Sequence, residues 1–256
     1  MGTNGMDGQP QPLSYADPDA DWLRSLHTGA ILGMVAALVV ALWNYVLIVN
    51  RVQGMPRGDM LRTISTLVTT GIAALRWMSG WMLSGPSPIH DPDDDRRFYA
   101  RIQSAMVFLL RLTLTIVFVT WSLRGLRLIG SSGGLYGYNA LFRYIVNGGD
   151  ALTILLLWLH IAALAAQLRL RGFRRLAMGV LIIAGGARLI WGVAPIVATQ
   201  MKFNWGLRQA DDTTRFVAFI IASVIELLVL RRFASLIRVD DFVPPAMDSL
   251  RMSGGT

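Results

Sequence analysis

The stretch TGAILGMVAALVVALWNYVLIVN, residues 28–50, decides the fold, because no charged side chain interrupts it between His27 and Arg51. A helix of this length covers the roughly 30 Å of hydrocarbon in a lipid bilayer. The stretch therefore predicts a transmembrane helix, the first in the chain.

Small residues recur at every fourth position of this first helix. They are Gly29, Gly33, Ala37 and Ala41. Positions four apart lie on one helix face, and a ridge of small side chains lets a second helix backbone approach closely. We expect this ridge to be a helix-packing face inside a bundle.

The composition extends the membrane interpretation to most of the chain. Of its 256 residues, 54% are hydrophobic and 16% are charged, whereas soluble domains average about 25% charged residues. Long apolar runs alternate with short basic connectors, which is typical of one helical bundle in lipid. We expect a polar, flexible N-terminal tail over residues 1–27, a transmembrane bundle over residues 28–238, and a flexible C-terminal tail over residues 239–256.

Further apolar runs predict the remaining helices. Four of them approach the ~20 residues that a crossing needs: residues 103–123, 149–168, 177–198 and 215–234. A fifth, residues 63–83, is interrupted by Arg76 and two glycines, so it is either a sixth span or an interfacial or re-entrant segment. Residues 138–146, rich in Tyr and Phe, suggest a short interfacial helix before the 149–168 span. The expected fold is an all-α, polytopic integral membrane bundle of about six transmembrane helices.

Glu226 is the ionisable residue inside FVAFIIASVIELLVL, residues 216–230. A charge at mid-bilayer costs about 2.5 to 3.5 kcal/mol on insertion scales. The positions three and four residues away on its own helix carry no basic side chain, so its partner must come from another helix. Candidate partners within the other spans are Arg111, Arg188, His160 and Arg76.

These five residues are predicted to form one intramembrane polar layer. Counting about 1.5 Å per residue from the expected helix ends places Arg111, His160 and Glu226 at one depth, with Arg188 and Arg76 within a turn of it. The layer is either an interhelical salt bridge, Glu226 with Arg111 or Arg188, that fixes packing, or a path for protons, anions or a polar substrate. The surplus of arginines over the single glutamate favours the second interpretation slightly, because unpaired charge requires water, an anion, a lipid headgroup or a partner's carboxylate.

Other chemical motifs are weak. The chain has no cysteine, which excludes disulfides, thiolate metal sites and iron–sulfur clusters. Three scattered histidines do not suit a bis-histidine haem, and Asp93, Asp94 and Asp95 read better as helix-capping acids than as metal ligands. The net charge of +8 comes from arginines beside apolar runs, so nucleic acid is not an expected partner. We expect no catalytic residue, cofactor or metal.

Three functions remain in order of expectation. The first is a non-catalytic scaffold or accessory subunit of a membrane complex, with the bilayer, other membrane subunits or anionic lipid as partners. The second is a small transporter or an ion or proton pathway through the polar layer. The third is a lipid-modifying enzyme built on residues 93–95.

The expected location is a bacterial cytoplasmic membrane. Lysine is nearly absent beside abundant Arg, Ala and Gly, a composition that suggests a GC-rich bacterial genome. Basic residues are slightly more numerous on the connectors that share a side with both termini, and basic loops stay cytoplasmic. The termini are therefore expected inside the cell.

Overall fold

The computed structural model describes residues 20–53, 59–85, 97–126, 136–168, 170–190 and 208–237. Within these ranges the chain forms six helices and no strand, so the predicted all-α fold is confirmed there. Most of both expected polar tails and the acidic residues 93–95 lie outside the described residues.

The six helices follow one another with short intervals. They are α1 (Ala20–Val52), α2 (Asp59–Leu83), α3 (Arg97–Gly125), α4 (Tyr136–Gln167), α5 (Arg171–Val180) and α6 (Arg208–Leu236). Helix α5 continues through a π-helical turn, Leu181–Gly185, into a further α-helical turn, Gly186–Arg188. We call residues 171–188 the α5 segment.

Each helix packs antiparallel against its neighbours in the chain, and α6 returns to α1. We call the end of the bundle at which α1 begins and α2 ends the near end. Gln167 on α4 donates a hydrogen bond to Gln103 on α3 there, 2.8 Å long. At the opposite end, the Thr70 hydroxyl on α2 donates to the carbonyl of Trp121 on α3 at 3.2 Å. The up-and-down order brings side chains from α2, α4, the α5 segment and α6 toward one interior.

Helix α1 approaches α2 closely at positions where both helices carry small side chains. The Ser79 hydroxyl donates to the Gly29 carbonyl at 2.7 Å, and a Cβ on Gly29 would lie 2.9 Å from the Cβ of Met82. Gly33 faces Ser79 and a leucine of α6. Ala37 is buried and Ala41 is half-buried. Glycine at position 29 is thus required by the distance between two helix backbones.

The surface of the helices is largely apolar, and a few charged side chains lie in the otherwise apolar interior. Large apolar side chains are exposed on several helices, among them Leu42 on α1, Phe108 on α3 and Ile221 on α6, while Arg188 and Glu226 are buried. Among the described residues, three helical stretches are long and apolar enough to cross a bilayer: Asp21–Asn50, Ile102–Gly125 and Ile145–Gln167. They indicate a membrane location, as the sequence predicted.

All six described helices begin before their predicted first residues, among them α1 at Ala20, α3 at Arg97 and α5 at Arg171. Helix α4 begins at Tyr136, so the prediction of a separate interfacial helix over residues 138–146 is wrong. Helix α2 runs without a break through residues 63–83, although Arg76 and its glycines interrupt the apolar pattern. Helix α6 covers residues 208–236 instead of 215–234. Packing against neighbouring helices stabilises helical turns that the apolar pattern alone does not mark.

Candidate functional site

Asp150 joins three helices in the interior of the bundle. Its carboxylate on α4 accepts a hydrogen bond from Arg76 on α2 through Oδ1 and another from Arg188 on the α5 segment through Oδ2, 2.7 Å long. Charge-assisted bonds of this kind are about twice as strong as neutral ones. The aspartate therefore cross-links α2, α4 and the α5 segment.

Glu226 lies beside this bridge on α6. Its side chain is buried and lies within electrostatic range of Arg76, Arg188 and Asp150, but its Oε1 has no hydrogen-bond partner among the described residues. We call Arg76, Asp150, Arg188 and Glu226 the central cluster. Two guanidinium groups and two carboxyl groups give it a formal charge balance, but only one carboxylate is hydrogen-bonded to the arginines.

Several other polar atoms of this region also lack a hydrogen-bond partner among the described residues. They are Arg76 Nη2, Arg188 Nε and Nη2, Thr153 Oγ1 and Ser223 Oγ. Thr153 follows Asp150 by one helical turn and Ser223 precedes Glu226 by one turn, so both hydroxyls lie on the faces that carry the two acids. Buried polar groups are nearly always hydrogen-bonded, to protein or to ordered water, so each of these atoms calls for an explanation.

An aromatic ring supports the guanidinium of Arg188. Its Cζ lies 4.4 Å from the ring centroid of Phe219, two turns before Glu226 on α6. The Cζ of Arg215 lies 5.4 Å from the same centroid. A guanidinium over a ring face is stabilised by the ring's quadrupole. Phe219 therefore stabilises the positive charge of Arg188 and of the neighbouring Arg215.

A second polar group lies near the C-terminal end of α2. Arg111 on α3 donates from Nε to the Ser84 hydroxyl at 2.9 Å and from Nη2 to the Ser84 carbonyl at 2.7 Å, with its guanidinium over Trp81. His160 Nε2 lies 3.0 Å from the Leu83 carbonyl. We call Arg111, His160 and their partners on residues 83–84 the end cluster. Its role is to satisfy carbonyls that a helix end leaves unpaired.

The structure thus divides the predicted polar layer into two clusters. Arg76 and Leu83 are separated along α2 by about 10 Å, and Asp150 and His160 along α4 by about 15 Å. Glu226 forms no hydrogen-bonded salt bridge with Arg111 or with Arg188. The expected depths were counted from helix ends that lie several residues away from the real ones, so residues of different depth were assigned to one level.

Sequence reasoning missed Asp150, the residue that organises the central cluster. In the sequence it follows Asn147, Gly148 and Gly149, a group typical of a helix boundary, and the predicted span begins at residue 149. In the structure it lies about 21 Å from the first residue of α4. The aromatic residues within 138–146 could have indicated that the helix begins earlier, because they continue the apolar pattern of the same helix.

The central cluster offers charge but no recognisable catalytic arrangement. In the described ranges, no three His, Asp or Glu side chains come together as a metal site. No protein-family model matches the chain, and neither the curated proteins nor the solved structures contain a match.

Proposed function

We propose that this chain is a multi-pass integral membrane protein whose six helices all cross the bilayer, and that it serves as a non-catalytic scaffold or accessory subunit of a membrane complex. The antiparallel order of the helices supports six crossings. Helices α2 and α6, with 25 and 29 residues, both pack antiparallel beside the long apolar helix α1.

The observation that carries the scaffold role is the Asp150 bridge. Its two guanidinium partners, Arg76 on α2 and Arg188 on the α5 segment, come from helices that are far apart in the sequence. The end cluster likewise fastens α3 and α4 to the end of α2. Charged side chains that serve as cross-links fix one arrangement of helices, as a scaffold requires.

The scaffold proposal predicts a stable complex with other membrane proteins. Extraction from the native membrane in polymer-bounded lipid discs, followed by native mass spectrometry, should give particles heavier than the 28.2 kDa chain with a partner in fixed stoichiometry. The variant Leu42→Arg, which changes an exposed apolar face of α1, tests whether such a face binds the partner. Particles holding the single chain alone would contradict the proposal.

A second candidate, an ion or proton pathway, is favoured by the unpartnered atoms of the central cluster. Glu226 Oε1 and the free guanidinium N–H groups of Arg76 and Arg188 are suited to exchange partners with water or a small anion. Reconstituted protein should then dissipate a pH or anion gradient, and Glu226→Gln should abolish the flux. Undiminished flux in Glu226→Gln would exclude transport through this carboxyl group.

The third function, a lipid-modifying enzyme, has no support from the described residues. Its carboxylates, residues 93–95, lie outside them.

A further inference from the structure

The near end of the α5 segment carries an open groove of about 670 Å³. Among the described residues it is lined by Arg174, Arg175, Met178, Gly179 and Ile182. Two guanidinium groups lie at one end of the groove and apolar side chains follow toward the other end. This order of chemistry runs along the helix axis.

Open space surrounds two glycines of the α5 segment, one of which, Gly179, lines the groove. A Cβ on Gly172 or on Gly179 would have no neighbouring atom within 4 Å, and residues seven apart lie on nearly the same helix face. A different face of α5 packs into the core through Phe173, Ala177 and Val180. The glycine face is therefore turned away from the bundle.

Basic residues of a second helix lie at the same end of the bundle. The rings of Phe173 on α5 and Phe233 on α6 stack with centroids 5.1 Å apart, which places Arg231 and Arg232 at about the depth of Arg174 and Arg175. All four arginines are exposed. Within the described part of the chain none of their guanidinium groups has an acidic partner. The near end therefore presents concentrated positive charge beside an apolar groove.

We infer that this groove binds an anionic phospholipid, its phosphate at Arg174 and Arg175 and one acyl chain along Met178, Gly179 and Ile182. The inference rests on the proposed membrane insertion. Arg175 and Ile182 are separated by about 10 Å along the helix, so the groove takes the headgroup and the first part of one chain. Basic residues at a membrane surface attract anionic lipid, while the exposed apolar walls exclude a purely aqueous anion as the best occupant.

The test is a lipid titration of the purified full-length chain in mild detergent, with the melting temperature as readout. Phosphatidylglycerol should raise the melting temperature, and phosphatidylcholine with the same acyl chains should raise it much less. In Arg174→Gln/Arg175→Gln the half-saturating concentration of phosphatidylglycerol should increase about 30-fold. The melting temperature without added lipid shows whether each variant is folded.

Two matched variants separate the groove from general surface charge. Gly179→Leu fills the groove without removing a charge and should weaken phosphatidylglycerol binding. The control is Gly71→Leu, whose side chain also meets open space, and it should leave phosphatidylglycerol binding unchanged. Arg231→Gln/Arg232→Gln should have a smaller effect than the change at positions 174 and 175.

Three outcomes would overturn the inference. The first is an equal loss of phosphatidylglycerol affinity in the two double-arginine variants. The second is a rise in melting temperature with phosphatidylcholine as large as that with phosphatidylglycerol. The third is an equally large rise with inorganic phosphate. None of these outcomes depends on the scaffold role. The lipid titration uses the isolated chain, whereas the scaffold role is tested by native mass spectrometry of particles extracted from the membrane.

Discussion

Asp150 accepts hydrogen bonds from two guanidinium groups while 22% of its side chain remains exposed. The side chain of Arg188 is 10% exposed, so this guanidinium group has less access than the carboxylate to any other partner. A buried ion pair adds little net stability, but removal of one partner leaves the other charge without compensation. The consequence of a substitution therefore differs between the two carboxyl groups of the central cluster.

Asp150→Asn should destabilise the protein by about 3 kcal/mol, the lower part of the range for a broken buried pair, because the site is partly exposed. Glu226→Gln is the matched control: it makes the same chemical change on a carboxyl group whose Oε1 forms no hydrogen bond, and it should cost less. Unfolding of both variants in detergent micelles measures the difference. Equal losses would show that Glu226 is also paired with the arginines.

Arg111→Lys should destabilise the protein by about 1.5 kcal/mol, because lysine cannot donate from two nitrogens to Ser84 while stacking on a ring. The control is Arg24→Lys, at an exposed pair with Asp21, where the change should be near zero. The same unfolding measurement applies. A loss at Arg24 as large as that at Arg111 would contradict the role given to the end cluster.

At the scale of the helix, two glycines predict opposite effects of one substitution. In Gly71→Ala the new Cβ meets open space, so the variant should gain about 0.5 to 1 kcal/mol from reduced backbone entropy. In Gly29→Ala the Cβ would lie 3.1 Å from the backbone nitrogen of Leu83, and α2 would have to move. Thermal unfolding should therefore show stabilisation at position 71 and destabilisation at position 29.

The sequence predicts helices more reliably than their ends. Residues 28–50 predict α1 because a charge-free run of that length has one stable form in lipid. The position of Asp150 could not be predicted, since two glycines before it suggest a boundary, whereas in the fold this part of α4 packs against α3 and the α5 segment. Which helices share Arg76 and Arg188 depends on the order of packing, which no local pattern contains.

At the scale of the whole molecule, the exposed surface is apolar along the helices and polar at their ends. Leu42 is 56% exposed and Gln53 is also exposed, about 16 Å further along the same chain direction. In water both positions would be equally accessible. In a bilayer lipid covers the first and leaves the second at the surface.

The absence of cysteine from the natural chain allows a direct test of this surface. In open membrane fragments, Gln53→Cys should react quickly with a membrane-impermeant maleimide, whereas Leu42→Cys should react only after detergent is added. The two thiols differ only in their surroundings, so no correction for burial inside the bundle is needed. Rapid labelling of Leu42→Cys in intact membranes would contradict membrane insertion of α1.

The order of the charged residues in the chain has a consequence for biosynthesis. Arg76 leaves the ribosome before Asp150, and Arg188 leaves it before Glu226. When each interior acid reaches the translocation channel, the ribosome has therefore already made a basic residue that lies near that acid in the folded bundle. If early helices are retained beside the channel until then, neither acid has to enter the lipid alone.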